Sequence, residues 1–439
     1  MTRRTSRSCQ NAATRRASPR FAPRFIAAGM PTGKNVAAID FTPPTRPAVS
    51  MKTLAAAPEI EPLLEEVTRF CRGRLAPLAE RPECRVPPAD VAALTAEATE
   101  LGLLNPTREP AAGLWDRVDV VAGRQFGIRA LAIVAEHNAG VAYHLHQRAL
   151  AALALRRLHA DFAGATVVAI QGRFGLARGS LARLLQGRDL LTDDVATLRD
   201  YFFDRDQQAA EAWSGIFMAT DHWRWLLVPS LTEDRHWRWR LYERGDLEVA
   251  QLPASHGLEE VPCWQWRPKV GIEATLLDEL VYADATEGAR AEPLYAALFD
   301  LEQRALLAIA LGLVRRAHAL AVEYAAIRVQ GGKRLQAHPA VQALLGRGAA
   351  VANAQALALS RLAALPLGVA SLGDVIATRA EAHDPLCAAA NDQLQVFGGL
   401  GYIRDTGIER RVRDLNHLRQ LCGTPPELRI FLAAWKTSP

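Results

Sequence analysis

From Leu54 to Phe162 apolar positions recur at three- and four-residue spacing, the period of helices that each bury one face. Ile60, Leu63, Leu64, Val67, Phe70 and Leu75 form the first such stripe. Pro87-Pro88 followed by Asp90 reads as a helix start, continued by Val91–Leu104. A third helix is predicted from Trp115 to Phe126 and a fourth from Ala130 to Leu158. The texture changes near Ala163. Thr166–Gln171, Trp213–Phe217, Trp223–Pro229, Trp237–Tyr242 and Leu247–Leu252 are short aromatic or β-branched runs separated by Gly, Asp and Pro, the pattern of an antiparallel sheet or barrel. His222-Trp-Arg-Trp225 recurs as His236-Trp-Arg-Trp239, which places tryptophans two apart on one strand face. A hairpin with indoles on the core and arginines in water is expected, with an aromatic wall beside a ligand as the alternative.

Gly271–Thr286 leads out of the sheet, and helical spacing returns at Glu292. A long apolar run covers Leu294 to Val329, a second helix Pro339–Leu362 and a third Pro385–Phe397. The expected fold class is α+β, mainly α: an N-terminal helical domain over 51–163, a middle antiparallel β domain over 164–288 and a C-terminal helical bundle over 289–439. Residues 1–50 are rich in Arg, Ser, Ala and Pro without a sustained period, and are expected to be a disordered or non-native extension rather than a transit peptide.

Charge changes the picture only once it is divided. The chain carries a net charge of +5, but residues 1–50 hold nine Lys or Arg against Asp40 alone. The rest has 43 basic and 46 acidic residues, so a nucleic-acid partner is not indicated. No apolar run reads as a membrane span, and six cysteines without CxxC spacing indicate neither a zinc site nor a disulfide framework and fit a reducing cytoplasm. His144 and His146, two apart on one helix, face different ways and are expected on the helix surface or lining a cleft, not on a metal.

Chemistry concentrates near the C-terminus. Gln395-Val-Phe-Gly398-Gly399-Leu-Gly401-Tyr402 ends a helix in a loop that small residues permit. Glu409-Arg410-Arg411-Val412-Arg413-Asp414 opens a charged helix, and Cys422-Gly423-Thr424 breaks it. In order and register, these three elements resemble the acyl-CoA dehydrogenase signature Q-x-x-G-G-x-G-Y, E-R-x-x-R-D and E-G-T. A second block, Tyr324-Ala-Ala-Ile-Arg328 through Gln342, is similar to that family's Y-A-x-x-R…Q-A-x-Q. The resemblance implies FAD as cofactor, with Arg328 on the pyrophosphate of a neighbouring subunit's flavin. Gln395, Gly398, Gly399 and Thr424 occupy further cofactor-binding positions. It also implies a homodimer or homotetramer, an acyl-CoA thioester substrate, and an electron-transfer flavoprotein or other acceptor.

Two departures stand out. Cys422 occupies the position of the family's catalytic glutamate, and Gly331 that of an aromatic near the cofactor. The middle domain lacks the family's A-G-S-D-like loop and W-x-T-like strand, with Ser214–Thr220 a candidate remnant of the second. An unperturbed thiol with a pKa near 8.5 makes a poor proton acceptor, so Cys422 reads as a small residue where the base was lost or moved. A second candidate lies upstream, where Asp300-Leu301-Glu302 begins eleven positions before Leu311-Gly312-Leu313 of the same helix. Glu302 resembles the base that isovaleryl- and long-chain-type members of the family carry on this helix. A solvated helix-start acid is the alternative, and Asp300 is expected to be a cap or surface acid.

The expected function is a flavin-dependent α,β-dehydrogenation of an acyl thioester in fatty acid metabolism, with Glu302 as base and the flavin N5 as hydride acceptor. The alternatives are a flavin monooxygenase or oxidase on the same fold, which needs no α-proton base, and a non-catalytic homologue that keeps the scaffold.

Overall fold

The computed structural model describes residues 60–79, 84–104, 113–158, 165–168, 174–188, 192–194, 197–198, 215–231, 237–272, 275–280 and 294–436. The expectation for residues 1–50 lies outside them, as do Trp213 and Ser214.

The N-terminal helices are α1 (Glu61–Phe70), α2 (Pro88–Glu100), α3 (Val121–His137) and α4 (Ala139–Arg157). Leu64, Val67 and Phe70 bury the predicted stripe of α1, and α2 starts at the predicted proline. The single helix expected over 130–158 is in fact two. Asn138 leaves helical geometry at φ −153°, and its side chain accepts from the Val141 N–H, capping α4. Trp115–Val120, expected to open a helix, forms turns instead.

The middle segment holds β1 (Ala165–Val168), α5 (Phe174–Leu185), β2 (Gly215–Met218), β3 (Trp225–Leu231), β4 (Trp237–Glu243), β5 (Leu247–Gln251), β6 (Cys263–Pro268) and β7 (Thr275–Leu280). One sheet has the order β1-β3-β4-β7 and the other β2-β6-β5. All pairings in these two sheets are antiparallel except β1 with β3. The tryptophan repeat does form a hairpin, with Trp239 opposite Pro229. Trp223 and Trp239 are both buried, but in different clusters: Trp223 packs with Phe217, Trp264 and Trp266, and Trp239 joins the main core. Arg224 of the repeat is exposed, as expected, while Arg244, beyond the repeat, lies over the Trp223 ring, 4.7 Å from its centroid, in a cation–π contact.

The C-terminal helices are α6 (Leu294–Ile327), α7 (Pro339–Ala364), α8 (Val369–Val396), α9 (Ile408–Leu418) and α10 (Pro425–Lys436). Between α6 and α7 a small hairpin, β8 (Val329–Gln330) and β9 (Lys333–Arg334), turns at Gly331 and Gly332, whose φ of 60° and 78° suit glycine. The helix expected to begin at Pro385 starts at Val369 and carries Pro385 inside it.

Helix α6 is long and apolar enough to cross a membrane by composition, yet it is mostly buried, packed against α3, α4, α7, α8 and α9. It is the axis of the fold. Gly312 permits a close approach to α3: a Cβ there would stand 2.2 Å from the Ala132 carbonyl oxygen.

The charged helix α9 is largely buried, not solvated. Glu260 receives Arg410, the Asn138 amide at 3.0 Å and the Val86 N–H at 3.0 Å. Arg410 also donates to the Cys84 carbonyl, and Asp414 accepts the Leu258 N–H at 2.8 Å. The signature arginines therefore tie the N-terminal helices, the β segment and the C-terminal bundle together. Burial opposes the charge on Glu260, but Arg410, Asn138 and Val86 outweigh it and hold its carboxyl below the usual range.

Candidate functional site

Glu302 on α6, Tyr143, His146 and Gln147 on α4, and Cys422 in the loop between α9 and α10 converge in the interior. The Glu302 carboxylate is 0 % exposed. Tyr143 donates to its Oε1 at 3.1 Å, Gln147 Nε2 to its Oε2 at 2.8 Å, and His146 Nε2 lies 2.7 Å from the same Oε2. The Cys422 thiol points at Oε1 across 3.7 Å. The spacing of residues 143, 146 and 147 puts all three on one face of α4.

The tautomer of His146 follows from its second partner. Trp115 Nε1–H donates to His146 Nδ1 at 2.9 Å, so that nitrogen carries a lone pair and the ring proton sits on Nε2, facing Glu302. Burial alone would raise the Glu302 pKa, but His146, the Tyr143 hydroxyl and the positive Arg379 together lower it. Glu302 is ionised in this arrangement. Burial, reinforced by Glu302, pushes the Cys422 thiol well above its ordinary range, so it stays protonated.

The backbone behind Cys422 is held from a second direction. Its φ is 49°, uncommon for a residue with a side chain. Its carbonyl accepts from Gln303 Nε2 and Arg379 Nη1, both at 3.0 Å. Arg379 is fully buried, also donates to the Leu418 and Leu421 carbonyls, and is pulled down to about 10 by burial.

The expected cofactor positions lie elsewhere. Arg328 is exposed just past α6, and Gln395, Gly398 and Gly399 are exposed at the end of α8. Tyr324 stacks on Phe397 at 4.3 Å and brings these two helix ends together. A Cβ at Gly398 or Gly399 would meet nothing within 4 Å, so both backbones stand open to a ligand. Gln395 donates to the Tyr402 hydroxyl at 2.8 Å. Arg328 and Glu302 are 26 positions apart on a nearly continuous helix, roughly 39 Å by the helical rise. They do not meet in one chain. Thr424 hydrogen-bonds Glu427 through its N–H and hydroxyl, at 2.8 and 2.9 Å, capping α10.

Three expectations need correction. Asp300 is neither a surface acid nor a cap of its own helix: it is fully buried, pairs with Arg304 at 2.6 Å and accepts the Gly368 N–H at 2.8 Å, where α8 begins. Glu302 is not solvated. His144 and His146 are both buried rather than on a surface or cleft, and His144 contacts the Thr95 hydroxyl at 2.9 Å. Sequence reasoning passed over Tyr143, Gln147, Trp115 and Arg379. A helix as apolar as α4 offered one signal, since polar residues at 143, 146 and 147 recur on a single face.

Burial holds His144 down to about 3, with Arg148 and His222 adding to it, and His417 down to about 4, with His256 adding. Unfolded histidine titrates near 6.5, so the unfolded chain takes up protons first. Stability is therefore complete above about pH 6.5 and is lost below it, by about 1.4 kcal/mol per pH unit for each histidine, until the folded pKa is reached. Thermal unfolding at pH 7.5 and 5.5 should show the loss. Equal midpoints would contradict it.

Residues 295–435 match the family profile of the acyl-CoA dehydrogenase C-terminal domain. No curated protein matches the chain. Among solved structures, butyryl-CoA dehydrogenase from Megasphaera elsdenii is 18% identical, with a TM-score of 0.59 over 86% of this chain and 97% of that one. The prolyl acyl carrier protein oxidase AnaB is 12% identical, with a TM-score of 0.65 over 87% and 100%. A putative acyl-CoA dehydrogenase from Mycobacterium smegmatis is 18% identical, with a TM-score of 0.57 over 87% and 99%. The chain thus shares the fold of the acyl-CoA dehydrogenases and carries that family's C-terminal domain at residues 295–435.

Proposed function

We propose that the protein is a flavin-dependent oxidoreductase that removes an α-proton from an acyl thioester, with Glu302 as the base. One observation carries this reading: the 3.7 Å contact between Cys422 and Glu302. The position that lacks its glutamate and the helix that supplies one meet at a single point. An ionised carboxylate there is competent to accept a proton once a substrate carbon reaches it. Tyr143 and Gln147 cover it, so one of them must give way for the substrate to approach.

Arg328, Gln395, Gly398 and Gly399 fit the dinucleotide part of FAD, the first by charge and the glycines by open backbone. Their separation from Glu302 accords with a flavin shared between two copies of the chain. When bound, the flavin would supply the hydride acceptor. Arg328→Ala is expected to lower flavin retention by about tenfold or more, read as the ratio of flavin to protein absorbance after gel filtration. Unchanged retention would remove Arg328 from the cofactor site.

The four contacts that seal Glu302 favour a second reading, a scaffold without catalysis. An absorbance spectrum followed by anaerobic addition of acyl-CoAs separates the two. A yellow protein bleached by one of them supports the dehydrogenase. A yellow protein that ignores them but accepts electrons from a reductase points to an oxidase or monooxygenase, and a colourless one that takes up no FAD points to the scaffold.

A further inference from the structure

A cavity of about 450 Å³ opens between α1, α3, α6 and α7, on the side of α6 turned away from Glu302. Glu302 and Leu311 are nine residues apart, two and a half helical turns, which places them on opposite faces. Ile128, Leu311, Ala356 and Leu359 form an apolar floor, and Arg129, Arg315 and Glu61 stand at the mouth. Two features of this lining are unusual for a packing defect. Gln125 lines the cavity and is only 6 % exposed, yet its carboxamide makes no hydrogen bond with any described residue. The amide is therefore open to the cavity, and its hydrogen-bond partner must come from there. At the mouth, Glu61 neutralises Arg129 through contacts of 2.5 and 3.0 Å, whereas Arg315 reaches only Glu136, at 4.0 Å. Arg315 is thus the more loosely held charge beside the apolar floor.

We propose that this cavity binds an unbranched carboxylic acid of medium chain length, with its chain on the floor and its carboxylate held by Arg315 and the Gln125 amide. Pockets of this size, mostly apolar with a few convergent polar groups, suit ligands of that scale. The site is separate from Glu302 and stands whether or not the proposed reaction does.

Decanoate titrated into the full chain, followed by calorimetry, tests it. Saturable uptake of one decanoate per chain is expected, weakened about tenfold or more by Gln125→Leu and by Arg315→Ala. Ala356→Trp, which fills the floor, should abolish it, and Glu302→Gln should leave it unchanged. If Ala356→Trp fails to fold, the other two variants carry the test, since Arg315 is at the surface. No saturable uptake, including the case in which a second copy of the chain closes the cavity, overturns the proposal. So does uptake that Gln125→Leu and Arg315→Ala leave unaltered.

Discussion

Glu302→Gln is expected to slow flavin reduction by an acyl thioester by about 10²–10⁴-fold, the usual contribution of a positioned base. Its structural cost can be foreseen. Both carboxylate oxygens accept donors: Tyr143 and Cys422 on one, His146 and Gln147 on the other. A glutamine amide turns one acceptor into a donor facing donors, so stability should also fall by about 1–3 kcal/mol. The two effects are separable by measuring thermal unfolding and bound flavin alongside the anaerobic reduction rate. A folded, yellow variant that is still bleached at the wild-type rate would remove Glu302 from the chemistry.

Glu260→Ala should be among the most destabilising single changes, by about 3–5 kcal/mol, because it strands a buried guanidinium. Arg410 would keep only the Cys84 carbonyl and the more distant Asp414, at 3.7 Å. The Asn138 amide and Val86 N–H would lose their acceptor as well. Denaturant unfolding of the two proteins gives the difference. A loss below about 1 kcal/mol would mean that water or rearrangement satisfies Arg410.

The layered plan was legible because helical and strand periods differ sharply and change near Ala163 and Glu292. Helix ends were less so. Asn138 splits a helix that apolar spacing alone ran straight through, because a capping side chain interrupts the backbone without interrupting the stripe. Pro385 read as a boundary, yet it sits within α8. The site was half legible. Glu302 and Cys422 stood out through the family signature, but their contact joins residues 120 positions apart. Asp300 misled, and Arg379 went unnoticed, for one reason. Charge in a sequence suggests solvent, and only the fold reveals a buried partner.

The backbone at Cys422 has a consequence for redesign. Gln303 and Arg379 grip its carbonyl, not its side chain, so the loop keeps its course whatever residue stands there. Cys422→Glu would bring a second carboxylate against Glu302, and two acids so close in a dry interior hold one proton between them. That exchange would turn a lone ionised acid into a proton-sharing dyad, with its basicity adjustable from a single codon.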